Sequence, residues 1–162
     1  MANASNLQQA VTELSTFLIP VTHKYLLLPN VSIAEIIVHR LPQPMDNVPT
    51  WFMGHLDWRT RQIPLVSFEG LNDEPFQASS GQRNCNIAVL NGIGTSEQLP
   101  FLALLTQSAP RMMRVSAEEL AVDNQAELGP AELMVVSANG ELASIPNLEF
   151  IENAILQFAT TV

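Results

Sequence analysis

Cysteine is nearly absent from this chain: Cys85 is the only one among 162 residues, so no intrachain disulfide can form. Its setting, NCNIAVL, is that of a small buried strand residue. Positive charge is also scarce. Seven Lys and Arg face 16 Asp and Glu, for a net charge of −9. Phosphate backbones and anionic membrane surfaces bind through Lys and Arg, so neither nucleic acid nor a lipid surface is an expected partner. The opening MANASNLQQAVTEL has no basic segment leading into an apolar core and reads as no signal peptide. The apolar runs fall short of a membrane span, so direct membrane insertion is not expected and the expected location is cytoplasmic.

Catalytic and cofactor patterns are missing too. There is no Walker loop, dinucleotide GxGxxG, zinc-type Cys/His pairing or HExxH. Asn91-Gly92-Ile93-Gly94 is followed by no Lys and no long helix, and reads as a hairpin turn. His23, His39 and His55 each lack a second ligand at the spacing a metal site needs, so no metal is expected. His55 and Asp57 would share a strand face as an acid–base pair, but no nucleophile stands near them. No enzyme activity and no cofactor are expected.

What is abundant is apolar sequence: 47% of residues are hydrophobic and only 14% charged. That excludes a disordered chain and suggests considerable burial, including surface covered by partners. The strand signals are short and frequent. Thr16 to Val21 and Tyr25 to Leu28 read as strands joined by Thr22-His23-Lys24, and Val31 to Leu41 is rich in β-branched residues. Pro42, Pro44 and Pro49 mark a loop. Leu56 to Phe68 reads as a strand or hairpin, and Leu71 to Arg83 as a polar surface loop.

Asn86 to Leu90, Phe101 to Leu105 and Met112 to Val115 read as further strands. Ser116 caps one helical turn through Ala117-Glu118-Glu119-Leu120. Arg111 and Arg114 lie along a strand edge or line a groove. Glu132 to Val136 and Leu142 to Ile145 flank Asn139-Gly140, a two-residue hairpin turn signal. Ser5 to Ser15 has the spacing of a short amphipathic helix. Asn147 is a fitting N-cap for a closing helix with Ile151, Ala154, Ile155 and Phe158 on one stripe. Eight to ten short strands and one terminal helix point to small barrels or a sandwich.

The stretch WFMGHLDWRTRQIPLVSF, residues 51 to 68, carries the strongest functional signal. Arg59 and Arg61 stand just ahead of Ile63, Leu65, Val66 and Phe68, which have the composition of a buried strand. Guanidinium groups are rarely buried without partners. Arg59 either forms an internal salt bridge, to Glu35 or Asp57, or clamps a partner's carboxylate or backbone carbonyl. Trp51 and Trp58 suit a core, but tryptophan with arginine also matches the composition of interface hot spots.

In order along the chain, VSIAEII, PQPMDNVPTW, GHLDWR, IPLVSF, CNIAVLN, RVSAEEL and NLEFIENAI resemble the CheW-like domain, the adaptor fold of bacterial chemosensory arrays. The wording of LLLPN, DWR-x-x-IPLVSFE and RMMRV resembles most the family's adaptors in type IV pilus systems that govern twitching motility. The resemblance implies an all-β fold with a C-terminal helix: two intertwined five-stranded SH3-like barrels around a shared core. It implies an N-terminal segment, residues 1–15, and a single domain of two barrel subdomains over residues 16–162. It also implies a non-enzymatic adaptor between a methyl-accepting chemoreceptor tip, received in the groove between the barrels, and the regulatory domain of a CheA-type histidine kinase. Arg59, Trp58, Gly54, Ile63, Pro64 and Glu35 become the expected partner-binding set, with Glu35 a candidate internal partner for Arg59. Exposed apolar surface would also suit a homodimer. Two departures stand out: Thr60 replaces the usual small residue after the arginine, and Thr106-Gln107 replaces an acidic position. The competing reading is a β-barrel domain that binds a small molecule in the cleft between its barrels.

Overall fold

The computed structural model describes residues 13–75, 85–94 and 96–161. They form eleven strands: β1 (Glu13–Pro20), β2 (Tyr25–Pro29), β3 (Ile33–Val38), β4 (Phe52–Trp58), β5 (Arg61–Val66), β6 (Asn86–Asn91), β7 (Phe101–Leu105), β8 (Arg111–Ser116), β9 (Leu120–Val122), β10 (Glu132–Ala138) and β11 (Glu141–Pro146). A four-residue helix, Phe68–Leu71, follows β5, and the helix Leu148–Thr161 closes the chain.

Two sheets result, ordered β8-β1-β2-β11-β10-β9 and β3-β6-β7-β5-β4. In each sheet the two outermost strands are consecutive in the chain: β8 and β9 in the first, β3 and β4 in the second. Each sheet therefore curls into a small barrel whose ends are joined by the chain itself. The second barrel, built from β3 to β7, is inserted between β2 and β8 of the first, which is the sense in which the two are intertwined. The first carries a sixth strand, the short β9, beyond the five expected.

Three apolar cores follow from strand alternation. Leu18, Leu27, Val115, Val136, Ala138 and Ala143 fill the first barrel. Ile37, Leu56, Trp58, Ile63, Leu65, Ile87, Val89, Ala103 and Leu105 fill the second, with Cys85 among them. The residues of opposite parity on the same strands, including Ile19, Leu26 and Leu28 from the first sheet and Val66, Ala88, Leu90, Leu102 and Leu104 from the second, meet in a shared core. Phe68 and Leu71 of the short helix and Ile151 and Ile155 of the closing helix complete it. Asn147 caps that helix by accepting from Phe150 N at 3.0 Å, and Asn139 and Gly140 both take positive φ, 51° and 82°, as a primed hairpin turn requires.

Several expectations are corrected. Residues 5–12 of the expected Ser5–Ser15 helix lie outside the described residues, and Glu13 to Ser15 belong to β1, paired with Ser116 to Arg114 of β8. The Val31–Leu41 strand is confined to Ile33–Val38, because Pro29 leads into a 3-10 turn at Asn30–Ser32. The strand before the Arg59 turn begins at Phe52, and Phe68 starts a helix because Ser67 caps it, accepting from Gly70 N. That helix buries Leu71 and Asn72, so the supposed surface loop starts inside the molecule.

Candidate partner-docking surface

The hairpin β4–β5 closes with Trp58 opposite Arg61, leaving Arg59 and Thr60 as a two-residue turn. Arg59 takes φ 53°, a left-handed conformation rare for a side chain of this size. The β-branched Thr60 is not among the positive-φ residues. The strained position is thus the arginine itself, and the turn throws its side chain outward, 64% exposed.

Exposure does not leave the guanidinium unsupported. Its Cζ lies 4.4 Å from the centroid of the Trp58 ring, and its NH2 lies 3.5 Å from Glu35 Oε2. The same oxygen accepts from Trp58 Nε1 at 2.7 Å. Glu35 reaches this position from β3, where a bulge between Ile33 and Glu35 shifts the register against β6 and re-aims the side chain. Trp58 is 2% exposed and packs edge-on against Phe101, with centroids 4.8 Å apart. Arg61 Cζ sits over the Phe101 ring at 5.4 Å. Two cations therefore flank an aromatic pair at the rim of the second barrel, and each gains from the ring quadrupole.

Arg40 adds a third cation, donating to Asp57 O at 3.2 Å. Val38 and Leu41 on either side of it are 72% and 82% exposed. In a chain with seven basic side chains, three of them meeting at one apolar rim is a marked concentration. Asp57 is occupied by the amides of Gln43 and Gln62, at 3.2 and 3.1 Å, and His55 lies edge-on to Phe52 at 5.4 Å. Arg59 is paired with Glu35 rather than Asp57.

The other expected site residues are placed differently. Ile63 is 2% exposed in the second barrel's core, so it and Trp58 support the rim from beneath. Pro64 is buried opposite His55; the ladder from β5 to β7 begins only at Leu65, which leaves room for a residue without an N–H. Gly54 lies within β4 at a bulge, not in the turn. Its φ is 131°, and a Cβ there would collide with Gln43 O, which pairs with His55 N. Gly54 and His55 thus hold Gln43 of the 39–51 loop against the hairpin. Pro64 and His55 also line a cavity of about 360 Å³ beneath the closing helix, with Phe52, Gln62, Gln98 and Phe158.

Arg111 and Arg114 lie on β8, an outer strand of the first sheet, paired with Glu141 and Glu13. Among the described residues, no three His, Cys, Asp or Glu side chains gather as metal ligands, and no helix is long and apolar enough to cross a membrane.

Sequence reasoning missed a buried polar cluster where the barrels meet. Glu132 of β10, 7% exposed, accepts from Ser144 Oγ (2.5 Å), Asn72 Nδ2 (2.7 Å), Gly129 N (3.1 Å) and Lys24 Nζ (3.1 Å). Burial alone would push its carboxyl up, but these donors outweigh burial and bring the pKa down to about 2. Burial likewise opposes the charge on Lys24, yet Glu74 and Glu132 reverse that and raise its pKa. Glu69 of the short helix accepts from Thr22 N and Oγ1 at 2.8 and 2.6 Å. Asn72 and Lys24 lie 60 and 108 residues from Glu132, and Thr22 lies 47 from Glu69, so no local spacing signals these contacts.

Residues 15–154 match the CheW-like domain. No curated protein matches the sequence. Among solved structures, the scaffolding protein TtCheW from Thermoanaerobacter tengcongensis superposes with a TM-score of 0.68 at 10% identity, over 83% of this chain and 88% of that one.

Proposed function

This chain belongs to the CheW-like domain family, and from that premise we propose that it is a non-enzymatic chemosensory adaptor that couples a methyl-accepting chemoreceptor tip to the regulatory domain of a CheA-type histidine kinase. It does so in the cytoplasm, through residues 16–162 acting as one unit of two subdomains. The observation that carries the reading is the rim around Arg59. A guanidinium held over Trp58 by Glu35, yet 64% exposed, loses little freedom on meeting a carboxylate or carbonyl, which is the condition for a strong contact. Exposed Val38 and Leu41 beside it supply apolar area at roughly 25 cal/mol per Å² before association costs. The finer assignment, to a ChpC-like adaptor of a type IV pilus system serving twitching motility, is supported by LLLPN, DWR-x-x-IPLVSFE and RMMRV.

The test is capture of a CheA-type regulatory domain and of a receptor tip by the wild type and by folded Arg59→Ala. Capture by the wild type that weakens in the variant is the expected result. Loss of a desolvated charge contact at the rim costs roughly 2–5 kcal/mol. Capture of neither partner by the wild type refutes the adaptor reading. Capture unaffected by Arg59→Ala keeps the adaptor and removes Arg59 from the contact.

A further inference from the structure

The two barrels touch mainly through the shared apolar core, and apolar contact is non-directional. Such an interface fixes how one body is turned on the other only through the fit of its packed side chains. The polar cluster at its margin has the opposite character. On the first barrel's side stand the turn Thr22-His23-Lys24 between β1 and β2, Gly129 and Ala131 ahead of β10, Glu132 and Ser144. On the second barrel's side stand Glu69, Asn72 and Glu74, carried by the short helix after β5 and the residues just past it.

Five contacts of the cluster cross the junction, and the bonds of Ser144, Gly129 and Lys24 to Glu132 brace it on the first barrel's side. Asn72 donates to Glu132 and accepts from Ala131 N at 3.0 Å. Lys24 bridges Glu74 at 2.6 Å and Glu132 at 3.1 Å, while Thr22 donates twice to Glu69 and accepts from Gln107 Nε2 at 3.2 Å. The fit is close: a Cβ on Gly129 would overlap the Asn72 amide. Replacement of a buried ionic cluster by apolar residues often leaves stability intact. What such a cluster supplies uniquely is direction.

We propose that Thr22, Lys24, Glu69, Asn72, Glu74 and Glu132 form a latch that fixes the angle between the two barrels, and with it the shape of the groove between them. Opening the latch lets the barrels turn on the shared core while each stays folded. The latch matters for signalling only if the adaptor reading holds, but its existence does not depend on that reading. Lys24 and Thr22 sit at the accessible edge of the cluster, so the latch is opened most gently from there.

The experiment measures the distance between the barrels directly. Spin labels go on Val38→Cys of β3 and Met112→Cys of β8, two exposed positions on different barrels, in a Cys85→Ala background. With the latch intact, a single narrow distance distribution is expected. In Lys24→Met and in Thr22→Val, the distribution at least doubles in width or moves to a new mean, while circular dichroism and a cooperative melt show both barrels folded. Lys24→Arg keeps the cation and restores the narrow distribution. Folded variants whose distributions superimpose on the parent's overturn the proposal. So does failure of both variants to fold, because the cluster then holds the barrels' structure and not their angle. No partner takes part in the measurement, so a negative result leaves the adaptor reading untouched.

Discussion

Glu132→Gln removes the charge at the centre of the cluster while preserving size. In the folded protein the Glu132 carboxyl titrates near 2, against an ordinary value of 4.5. A carboxyl depressed on folding contributes stability that is complete above the unfolded value and is lost as pH falls through the folded one. The window is therefore about pH 4.5 down to about 2. The gap corresponds to ~3 kcal/mol of stabilisation at neutral pH, and linkage reduces this to less than half by about pH 3. The glutamine also turns an N–H₂ toward donors that the carboxylate accepted, leaving at least one unpaired. Thermal unfolding of wild type and Glu132→Gln at a series of pH values between 7 and 3 checks this. Every other carboxylate titrates in both proteins, so the difference isolates Glu132. A wide gap at pH 7, on the order of 10 °C in Tm for a chain of this size, that narrows steadily below pH 4.5 is expected. A gap constant across the window refutes the argument, because the charge would then contribute nothing beyond shape.

Gly54→Ala forces a Cβ into Gln43 O at φ 131° and is expected to lower stability by roughly 2–4 kcal/mol in chemical denaturation. Arg59→Ala forfeits the contact with Trp58 and an exposed ion pair, together about 1 kcal/mol, and keeps the left-handed φ. Arg59→Gly forfeits the same contacts but relieves ~1 kcal/mol of backbone strain, so the glycine variant unfolds at the higher urea concentration; the reverse order shows the turn unstrained. Asn147→Ala removes the cap on Phe150 N and costs about 1 kcal/mol, read as a lower urea midpoint.

Where the chain's local chemistry decides, the sequence was readable. Asn139-Gly140 is a primed turn because both residues tolerate positive φ, and Asn147 caps because its side chain is short and its helix has a clean apolar stripe. Ser116 and Glu119 form the reciprocal capping box read in RVSAEEL. The family resemblance supplied what strand signals alone leave open, the choice of paired barrels over a sandwich. At the candidate site, the pairing of Arg59 with Glu35 was within reach, as one of two named acceptors. That Trp58 would lie beneath Arg59 and donate to the same oxygen was not, since it depends on the bulge in β3. Strand β9 escaped notice because it is three residues long and entirely exposed. The junction cluster was the least legible feature. Glu132 sits in a run that reads as ordinary strand, and Lys24 and Asn72 are unremarkable turn residues until the barrels bring them together.

The insertion of one barrel into the other also dictates an order of events during synthesis. The β1–β2 hairpin leaves the ribosome first, but its two flanks pair with β8 and β11, which lie in residues 111–146. Residues 33–105 supply every strand of the second barrel and can complete it in the interval. Through that time the hairpin, with Leu26, Leu27 and Leu28 in succession, offers two bare edges of the kind that recruit foreign strands. A chain stalled ahead of residue 111 would carry one finished barrel and a sticky hairpin. For this fold, interrupted translation is thus a direct route to aggregation.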